Sequence, residues 1–94
     1  MSTLIIAELS TNHGGDVDLA CEMVRQAAEA GADYVKTQAY SLARLSKADP
    51  QRDWLIRAHL NVSSQEQIFL TCEQFGVKPL CTPFDADSLA MLRR

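Results

Sequence analysis

Residues 28–38 read Ala-Glu-Ala-Gly-Ala-Asp-Tyr-Val-Lys-Thr-Gln, and this stretch indicates the fold class. Apolar residues recur at helical spacing from Val17 to Ala28. Gly31 suits the position that ends a helix, because glycine adopts the left-handed backbone conformation without strain. The run that starts at Tyr34 has the composition of a strand. A helix that passes through a glycine directly into a strand is typical of an α/β repeat.

The segment before this stretch predicts the first strand of the same repeat. Residues 3–8 form a short, nearly continuous apolar run, as expected for a strand that is covered on both faces. A polar loop occupies residues 10–15, and Asp16 is a plausible N-cap for the helix that follows. The order is therefore strand, loop, helix, strand.

The segment after this stretch repeats the order. Ser63 and Glu66 have the spacing of a capping box, which predicts the start of a helix that Gly76 ends. Residues 77–81 follow as a third strand, although Pro79 weakens this interpretation. Asp85 then caps a third helix, and this helix is predicted to continue through the end of the sequence.

The connection over residues 39–62 is the least regular part of the sequence. It contains Pro50, several charged residues and one possible short helix over residues 53–60. In this helix His59 is expected on a solvated face, and Trp54 is expected to pack the segment onto the barrel rather than to stack on a substrate. A connection this long exceeds the usual βα loop of about 2–6 residues, and long loops in compact domains are often functional.

Alternation of strands and helices predicts an α/β fold with a parallel sheet. Three strands alone would leave two bare edges. We therefore expect a partial TIM (β/α)8 barrel, comprising the first three βα units with a long loop after the second strand. On this interpretation residues 1–94 are the N-terminal portion of a larger barrel domain and are incomplete.

Composition narrows the class of protein. The 94 residues include 9 basic and 12 acidic side chains and are 47% apolar, which argues against disorder and gives a nucleic-acid role no electrostatic support. No apolar run approaches the roughly 20 residues of a membrane span, so the expected location is cytoplasmic. Cys21, Cys72 and Cys81 form no C-x-x-C pair, so they are interpreted as small buried residues.

Three polar clusters fall where the predicted strands end, which is where barrel enzymes place their active sites. The clusters comprise Glu8, Ser10, Asn12 and His13 after the first strand, Lys36, Gln38 and Tyr40 after the second, and Thr82 and Asp85 after the third.

Two charged residues dominate these clusters. Glu8 closes an apolar strand, where a carboxylate is costly unless it is paired, so it either handles a substrate hydroxyl or forms a structural ion pair with Lys36. Lys36 could neutralise a phosphate or carboxylate, or form a Schiff base with a carbonyl.

The remaining candidates at or near the strand ends have uncharged polar side chains. Gln38 suits a sugar hydroxyl or an amide, and Thr82 begins a turn that could bind an anion or simply cap a helix. His13 and Asn12 lie in a loop with two glycines, and His13 is more plausible as a polar wall of the pocket than as a metal ligand.

Three segments in order resemble the signatures of the sialic acid synthase family. They are Ile6-Ala7-Glu8-Leu9-Ser10-Thr11-Asn12-His13-Gly14-Gly15, the stretch from Ala30 to Tyr40, and Cys81-Thr82-Pro83-Phe84-Asp85. Together they span most of the chain, and the Glu-Leu-Ser-x-Asn-His form leans toward the pseudaminic acid synthase branch. Thr37 and the loop glycines depart from the usual pattern, and residues 41–62 do not match clearly.

The resemblance implies a TIM barrel that condenses phosphoenolpyruvate with an N-acylamino sugar to give a nine-carbon 2-keto acid. It implies that Lys36 contacts the carboxylate or the phosphate of phosphoenolpyruvate and that Thr82 helps to bind the phosphate. It also implies that Gln38 faces the sugar or the enolpyruvate and that Glu8 orients the reacting groups near the new bond. A divalent metal, Mn²⁺ or Mg²⁺, is expected to polarise the sugar aldehyde. Its ligands are expected beyond residue 94, with none in these residues, and a homodimer is expected for the full-length protein.

Two other functions fit parts of the sequence. A class I aldolase barrel would use Lys36 as its Schiff-base amine. A non-catalytic α/β module, complete at residue 94, would use none of the clusters for chemistry.

Overall fold

The computed structural model describes residues 3–93 and shows a parallel sheet with helices packed on one face. The strands are β1 (Ile6–Ser10), β2 (Tyr34–Ala39) and β3 (Lys78–Pro83), and the helices are α1 (Val17–Glu29), α2 (Arg52–Ala58), α3 (Val62–Phe75) and α4 (Ala86–Leu92). A turn of 3₁₀ helix over Leu42–Arg44 lies in the long connection. Each strand is followed by at least one helix, as predicted.

The strands lie in the order β1-β2-β3, and both pairs are parallel. Consecutive order distinguishes a barrel segment from a doubly wound sheet, in which the order reverses at the first strand. The core supports the same conclusion, because Val24 of α1 and Ile68 of α3 both pack with Val35 of β2 on one side of the sheet. The prediction of three barrel βα units with a long loop after the second strand is confirmed.

The buried core lies between the sheet and the two long helices. Its fully or nearly fully buried members are Leu9, Ala20, Val24, Val35, Leu60, Ile68, Cys72 and Val77. Because side chains alternate along a strand, this packing uses only every second residue of β1 and β2. The other face of the sheet is exposed, as Ile6 and Leu80 show at 53% and 37% exposure.

The sequence predicted five helix caps or ends, and four of them are confirmed, including Asp85 at the start of α4. Asp16 accepts from the backbone N–H groups of Asp18 and Leu19, and Gly31 and Gly76 adopt positive φ angles of 95° and 75° after their helices. The predicted capping box at Ser63 is wrong.

The α3 helix begins earlier than the capping box implied. Asn61 is its N-cap, and its side-chain oxygen accepts from the N–H of Ser64 at 2.8 Å. Asparagine caps as well as serine does, and the earlier start leaves Leu60 immediately before the cap, buried in the core. Burial of Leu60 in the core therefore favours Asn61 over Ser63 as the N-cap of α3.

Several further boundaries differ from the predicted ones. Strand β1 covers Ile6–Ser10 rather than residues 3–8, and α2 covers Arg52–Ala58 rather than residues 53–60. The third strand runs over Lys78–Pro83 rather than residues 77–81. Helix α4 ends at Leu92, whereas we predicted that it continues through the last residue, Arg94, which lies outside the described residues. No helix within residues 3–93 combines the length and the apolar character needed to cross a membrane.

The long connection is anchored to the sheet by its aromatic residues. Trp54 donates from Nε1 to Oγ1 of Thr11 at 3.1 Å, so the prediction that it packs against the body of the fold is confirmed. His59 is not on a solvated face as predicted, since it ends α2 and its ring meets that of Tyr40 edge-on at 5.5 Å. Of the cysteines, Cys72 is buried as expected, and Cys21 and Cys81 are half-buried.

Candidate active site

Four of the residues singled out in the sequence share the exposed face of the sheet. Along β2, Val35, Thr37 and Ala39 are buried toward the helices, so Lys36 and Gln38 project from the opposite face. The register places Glu8 and Leu80 beside Lys36, and Thr82 beside Gln38. The four residues, Glu8, Lys36, Gln38 and Thr82, thus form two adjacent rows near the carboxyl ends of the strands.

Glu8 and Lys36 form an ion pair. Lys36 Nζ lies 3.4 Å from Oε1 of Glu8, and the two side chains are 37% and 43% exposed. The second carboxylate oxygen of Glu8 accepts from the backbone N–H of Ser10 at 3.0 Å. The ion pair expected as an alternative for Glu8 is therefore present, and it holds the ammonium group of Lys36 on the exposed face.

The backbone at Ser10 makes this arrangement possible. Ser10 has a φ of 51°, and the β1–β2 register shifts between Glu8 and Ser10. A non-glycine residue in the left-handed region is uncommon, and such residues concentrate at functional sites. The shift turns the N–H of Ser10 back toward the carboxylate of Glu8 instead of leaving it in the sheet.

Gln65 of α3 supports the second row from behind the sheet. Its side chain is 2% exposed, and its Nε2 donates to the carbonyl of Gln38 at 3.0 Å. Thr37 donates to its Oε1 at 3.5 Å. Gln65 was not among the predicted site residues, because a polar residue within a helix has no local sequence pattern that marks a contact with the sheet.

A cavity of about 570 Å³ adjoins the carboxyl ends of the strands. Its walls include Ser10, Gln38, Arg44, Asp49, Gln51 and Phe84. Three of these, Arg44, Asp49 and Gln51, belong to the part of the long connection beyond Tyr40, where the sequence predicted no site residue. The only signal in the sequence was the unusual length of that connection.

His13 lies within its loop. The side chain is 3% exposed, and its Nδ1 accepts from the N–H of Gly15 at 3.0 Å. Burial lowers the pKa of His13, while its hydrogen bond with the backbone of Ser10 and the Asp16 carboxylate act in the opposite direction. Ser10 and Thr11, rather than the buried His13, bring this loop to the cavity wall, and Asn12 is exposed.

Tyr40 forms part of the cavity wall with a hydroxyl group that already has a partner. Its hydroxyl donates to the carbonyl of Leu55 at 2.5 Å, and its ring lies near His59 and stacks with Phe84 at 6.5 Å. Burial raises its pKa. Tyr40 therefore fixes α2 against the end of β2. Its side chain is held in one position in the cavity wall.

Asp85 joins the long connection to the start of α4. Its two carboxylate oxygens accept from the N–H of Ser41 at 2.7 Å and from the N–H of Ser88 at 2.8 Å. Burial acts to raise the pKa of Asp85, but the hydrogen bonds from these backbone groups outweigh it and hold the pKa below its usual value. The predicted cap is confirmed, and Asp85 has a second role in shaping the cavity.

We expect Asp85→Ala to lower the free energy of unfolding by about 1–2 kcal/mol at neutral pH, because a cap and a link to the loop are both lost. When folding lowers the pKa of a carboxylate, the carboxylate stabilises the folded state at pH values above its ordinary pKa. This stabilisation is lost as the pH falls through the pKa of the folded state. The difference between wild type and variant should therefore shrink under acidic conditions. Denaturant unfolding at a series of pH values measures it, and a pH-independent difference would contradict the assignment.

Within residues 3–93, no group of three or more His, Cys, Asp or Glu side chains is placed to hold a metal ion. These residues therefore do not by themselves form a site of the kind that takes three or more protein ligands.

Consecutive parallel strands with charged and polar side chains near their carboxyl ends are typical of a segment of a TIM barrel. The profile of the NeuB family matches residues 23–94, so the chain belongs to the NeuB family. The resemblance to sialic acid synthases is thereby confirmed.

Individual relatives agree with this assignment. The chain is 30% identical to N,N'-diacetyllegionaminic acid synthase of Campylobacter jejuni, over 96% of the chain and 31% of that protein. It is also 30% identical to a pseudaminic acid synthase of the same species, with the same coverage. The chain thus spans about a third of the length of these relatives.

A solved structure with the same fold is an N-acetylneuraminic acid (sialic acid) synthetase from Leptospira borgpetersenii, determined in complex with citrate. It superimposes with a TM-score of 0.92 at 31% identity, covering 99% of this chain and 33% of that one. The spore coat polysaccharide biosynthesis protein SpsE of Bacillus subtilis superimposes with a TM-score of 0.73, also at 31% identity, over 96% of this chain and 26% of that one.

Proposed function

We propose that this chain supplies the first three βα units of a synthase that condenses phosphoenolpyruvate with an N-acylamino sugar. The product is a nonulosonic 2-keto acid, and the full-length protein is required for activity. The observation that supports this most is the placement of Glu8, Lys36, Gln38 and Thr82 in two neighbouring rows on one face of the sheet. Membership of the NeuB family supports the same reaction.

Lys36 is proposed to bind the carboxylate or phosphate of phosphoenolpyruvate. An ammonium group provides a compact positive charge, and the pairing with Glu8 limits the positions that Lys36 Nζ can adopt. Thr82, one row nearer the strand ends, is proposed to donate its hydroxyl to the phosphate. Gln38 lies beside Thr82 in the register and lines the cavity, so it is proposed to contact both substrates.

The bonds change as follows in the proposed reaction. Carbon 3 of phosphoenolpyruvate attacks the sugar aldehyde, whose oxygen takes up a proton and becomes a hydroxyl group. Water adds at carbon 2, the bond from carbon 2 to the phosphate oxygen breaks, and the new carbon 2 hydroxyl loses its proton to form the ketone. Fixed charges such as Lys36 act most strongly where charge develops, namely on the cationic carbon 2 centre and the leaving phosphate.

Glu8 is proposed to orient the reacting groups from its position beside Lys36. One of its oxygens accepts from Ser10 and the other faces Lys36, so its carboxylate is held on both sides. This geometry favours a fixed negative charge near the developing cation over a freely rotating base.

The Schiff-base alternative receives less support. A nucleophilic lysine is usually desolvated in an apolar pocket or placed next to another cation. Lys36 is instead 37% exposed and paired with a carboxylate. Borohydride trapping with a keto acid distinguishes the two, because an adduct on Lys36 would favour the aldolase.

The remaining expectations concern the full-length protein. We propose that the ligands of a Mn²⁺ or Mg²⁺ ion come from outside residues 3–93. Assembly as a homodimer and a cytoplasmic location remain proposals, as does the leaning toward a pseudaminic acid product.

The experiment that tests this function uses the full-length gene product with phosphoenolpyruvate labelled with ¹⁸O at the bridging position. Cleavage between carbon and oxygen transfers the label to inorganic phosphate, which mass spectrometry detects. Label in the keto acid, or phosphate release without an added N-acylamino sugar, would contradict the proposed reaction.

A further inference from the structure

Two parts of the chain, the sheet and the long connection, contribute walls to the cavity beside the strand ends. Ser10 and Gln38 come from the sheet, on the side of Lys36, whereas Ser46, Asp49 and Gln51 come from the long connection. At about 570 Å³ it lies within the range of small-molecule sites, roughly 300–1,000 Å³. The sheet side belongs to the reaction proposed above, and the loop side has no role in it.

The charge of the loop side does not suit an anion. The cavity lining contains one cation, Arg44, and two carboxylates, Asp49 and Asp85. Arg44 is itself bound to Asp87 through its Nε at 3.1 Å. An anionic occupant would meet excess negative charge here, so phosphoenolpyruvate is better accommodated beside Lys36. A neutral molecule with many hydroxyl groups fits the loop side.

One wall is aromatic. Phe84 lines the cavity with 57% of its surface exposed, and its ring is held by stacking on Tyr40 at 6.5 Å with 21° between the planes. Tyr40 is fixed in turn by its bond to Leu55. An exposed ring held in place in a cavity that also carries amide and hydroxyl groups can pack against the C–H face of a sugar, while the sugar hydroxyls bond to the polar groups.

Gln51 is the polar group on the loop side of the cavity that is most available to a ligand. It stands at the N-cap position of α2, and its side chain makes no capping hydrogen bond there. Asp49, by comparison, accepts from the N–H of Gln51, and Ser46 accepts from the N–H of Ala48. The side chain of Gln51 is therefore the polar group of these three that the loop does not use for its own structure.

We infer that the loop side of this cavity binds the hydroxyl-bearing part of the N-acylamino sugar, between the ring of Phe84 and the amide of Gln51. Gln51 and Phe84 are specificity-determining residues for the sugar and leave phosphoenolpyruvate binding to the sheet. This inference rests on the proposed function and names the part of the site that selects the sugar.

The test compares Gln51→Ala and Phe84→Ala in the full-length gene product, with an N-acetylated hexosamine as the variable substrate. Each variant is expected to raise KM for the sugar about 5- to 10-fold, the equivalent of roughly one lost hydrogen bond or ring contact, with KM for phosphoenolpyruvate changed less than twofold. An analogue that lacks the terminal hydroxyl group is expected to remove the difference between wild type and at least one variant.

Gln74→Ala and Phe75→Ala serve as matched controls, because both residues are exposed on α3, away from the cavity. An active wild type with an unchanged sugar KM in both cavity variants would overturn the inference alone. An inactive wild type would instead overturn the proposed function. Equal changes in the KM values for both substrates would also contradict the inference, since they would indicate a general distortion of the site.

Discussion

Replacing Lys36 by alanine is expected to lower kcat/KM for phosphoenolpyruvate about 100-fold or more in the full-length protein. Removal of one preorganised charged group that stabilises a developing charge has effects of about 10²–10³. The ammonium group of Lys36 stands 3.4 Å from Glu8, so its loss also leaves that carboxylate without its cation. Steady-state kinetics with phosphoenolpyruvate as the variable substrate measure the effect.

Lys78→Ala is the matched control for this variant. Lys78 stands beside Tyr34 in the β2–β3 register, at the opposite end of the same sheet face, and its Nζ lies over the Tyr34 ring at 5.8 Å. It should leave kcat/KM for phosphoenolpyruvate within about twofold of wild type, because the site lies at the other end of the strands. Wild-type turnover and unchanged affinity in Lys36→Ala would show that Lys36 has no part in phosphoenolpyruvate binding.

Replacing Gly15 by alanine is expected to cause the largest loss of stability of any single glycine substitution described here. Gly15 has a φ of 85°, and a methyl group at this position would lie 2.1 Å from the carbonyl oxygen of Arg57. The left-handed conformation costs about 1–2 kcal/mol for an L-residue, and the clash with a backbone atom brings the expected loss to about 3–5 kcal/mol. Denaturant or thermal unfolding of the purified variant measures it.

Gly76→Ala is the control that separates the steric clash expected at Gly15 from the strain of a positive φ angle. Gly76 has a similar φ of 75°, but an added methyl group would have no atom within 4 Å among the described residues. This control should lose only about 1–2 kcal/mol. Equal losses in the two variants would show that the loop moves away from α2 without cost, and that the close approach of Gly15 to Arg57 is unimportant for folding.

The sequence predicted the sheet and its exposed row of polar residues with few errors. Helix-ending glycines at 31 and 76 and the apolar runs that follow them are local signals, and each depends on a few neighbouring residues. The placement of Glu8 near Lys36 followed from the same signals, because strands that are parallel and consecutive bring their carboxyl ends to one edge. Their proposed roles in binding phosphoenolpyruvate remain predictions.

Other features depended on contacts between distant residues and were missed or wrong. The sequence offered two caps for α3, and the buried side chain of Leu60 favours Asn61. Gln65 was not noticed because a polar residue in a helix gives no sign of the carbonyl it will reach across the sheet.

By itself, the sequence determined that this chain alternates strands and helices, and that acidic, basic and amide side chains follow the strands. These properties depend on periodicity and on residues that begin or end elements, which act over a few positions along the chain. Only the tertiary structure decided where the long connection lies, since Tyr40 binds Leu55 and Asp85 binds Ser41 across separations of 15 and 44 residues. The cavity that these contacts shape has no local sequence pattern, because its walls meet only after the chain has folded.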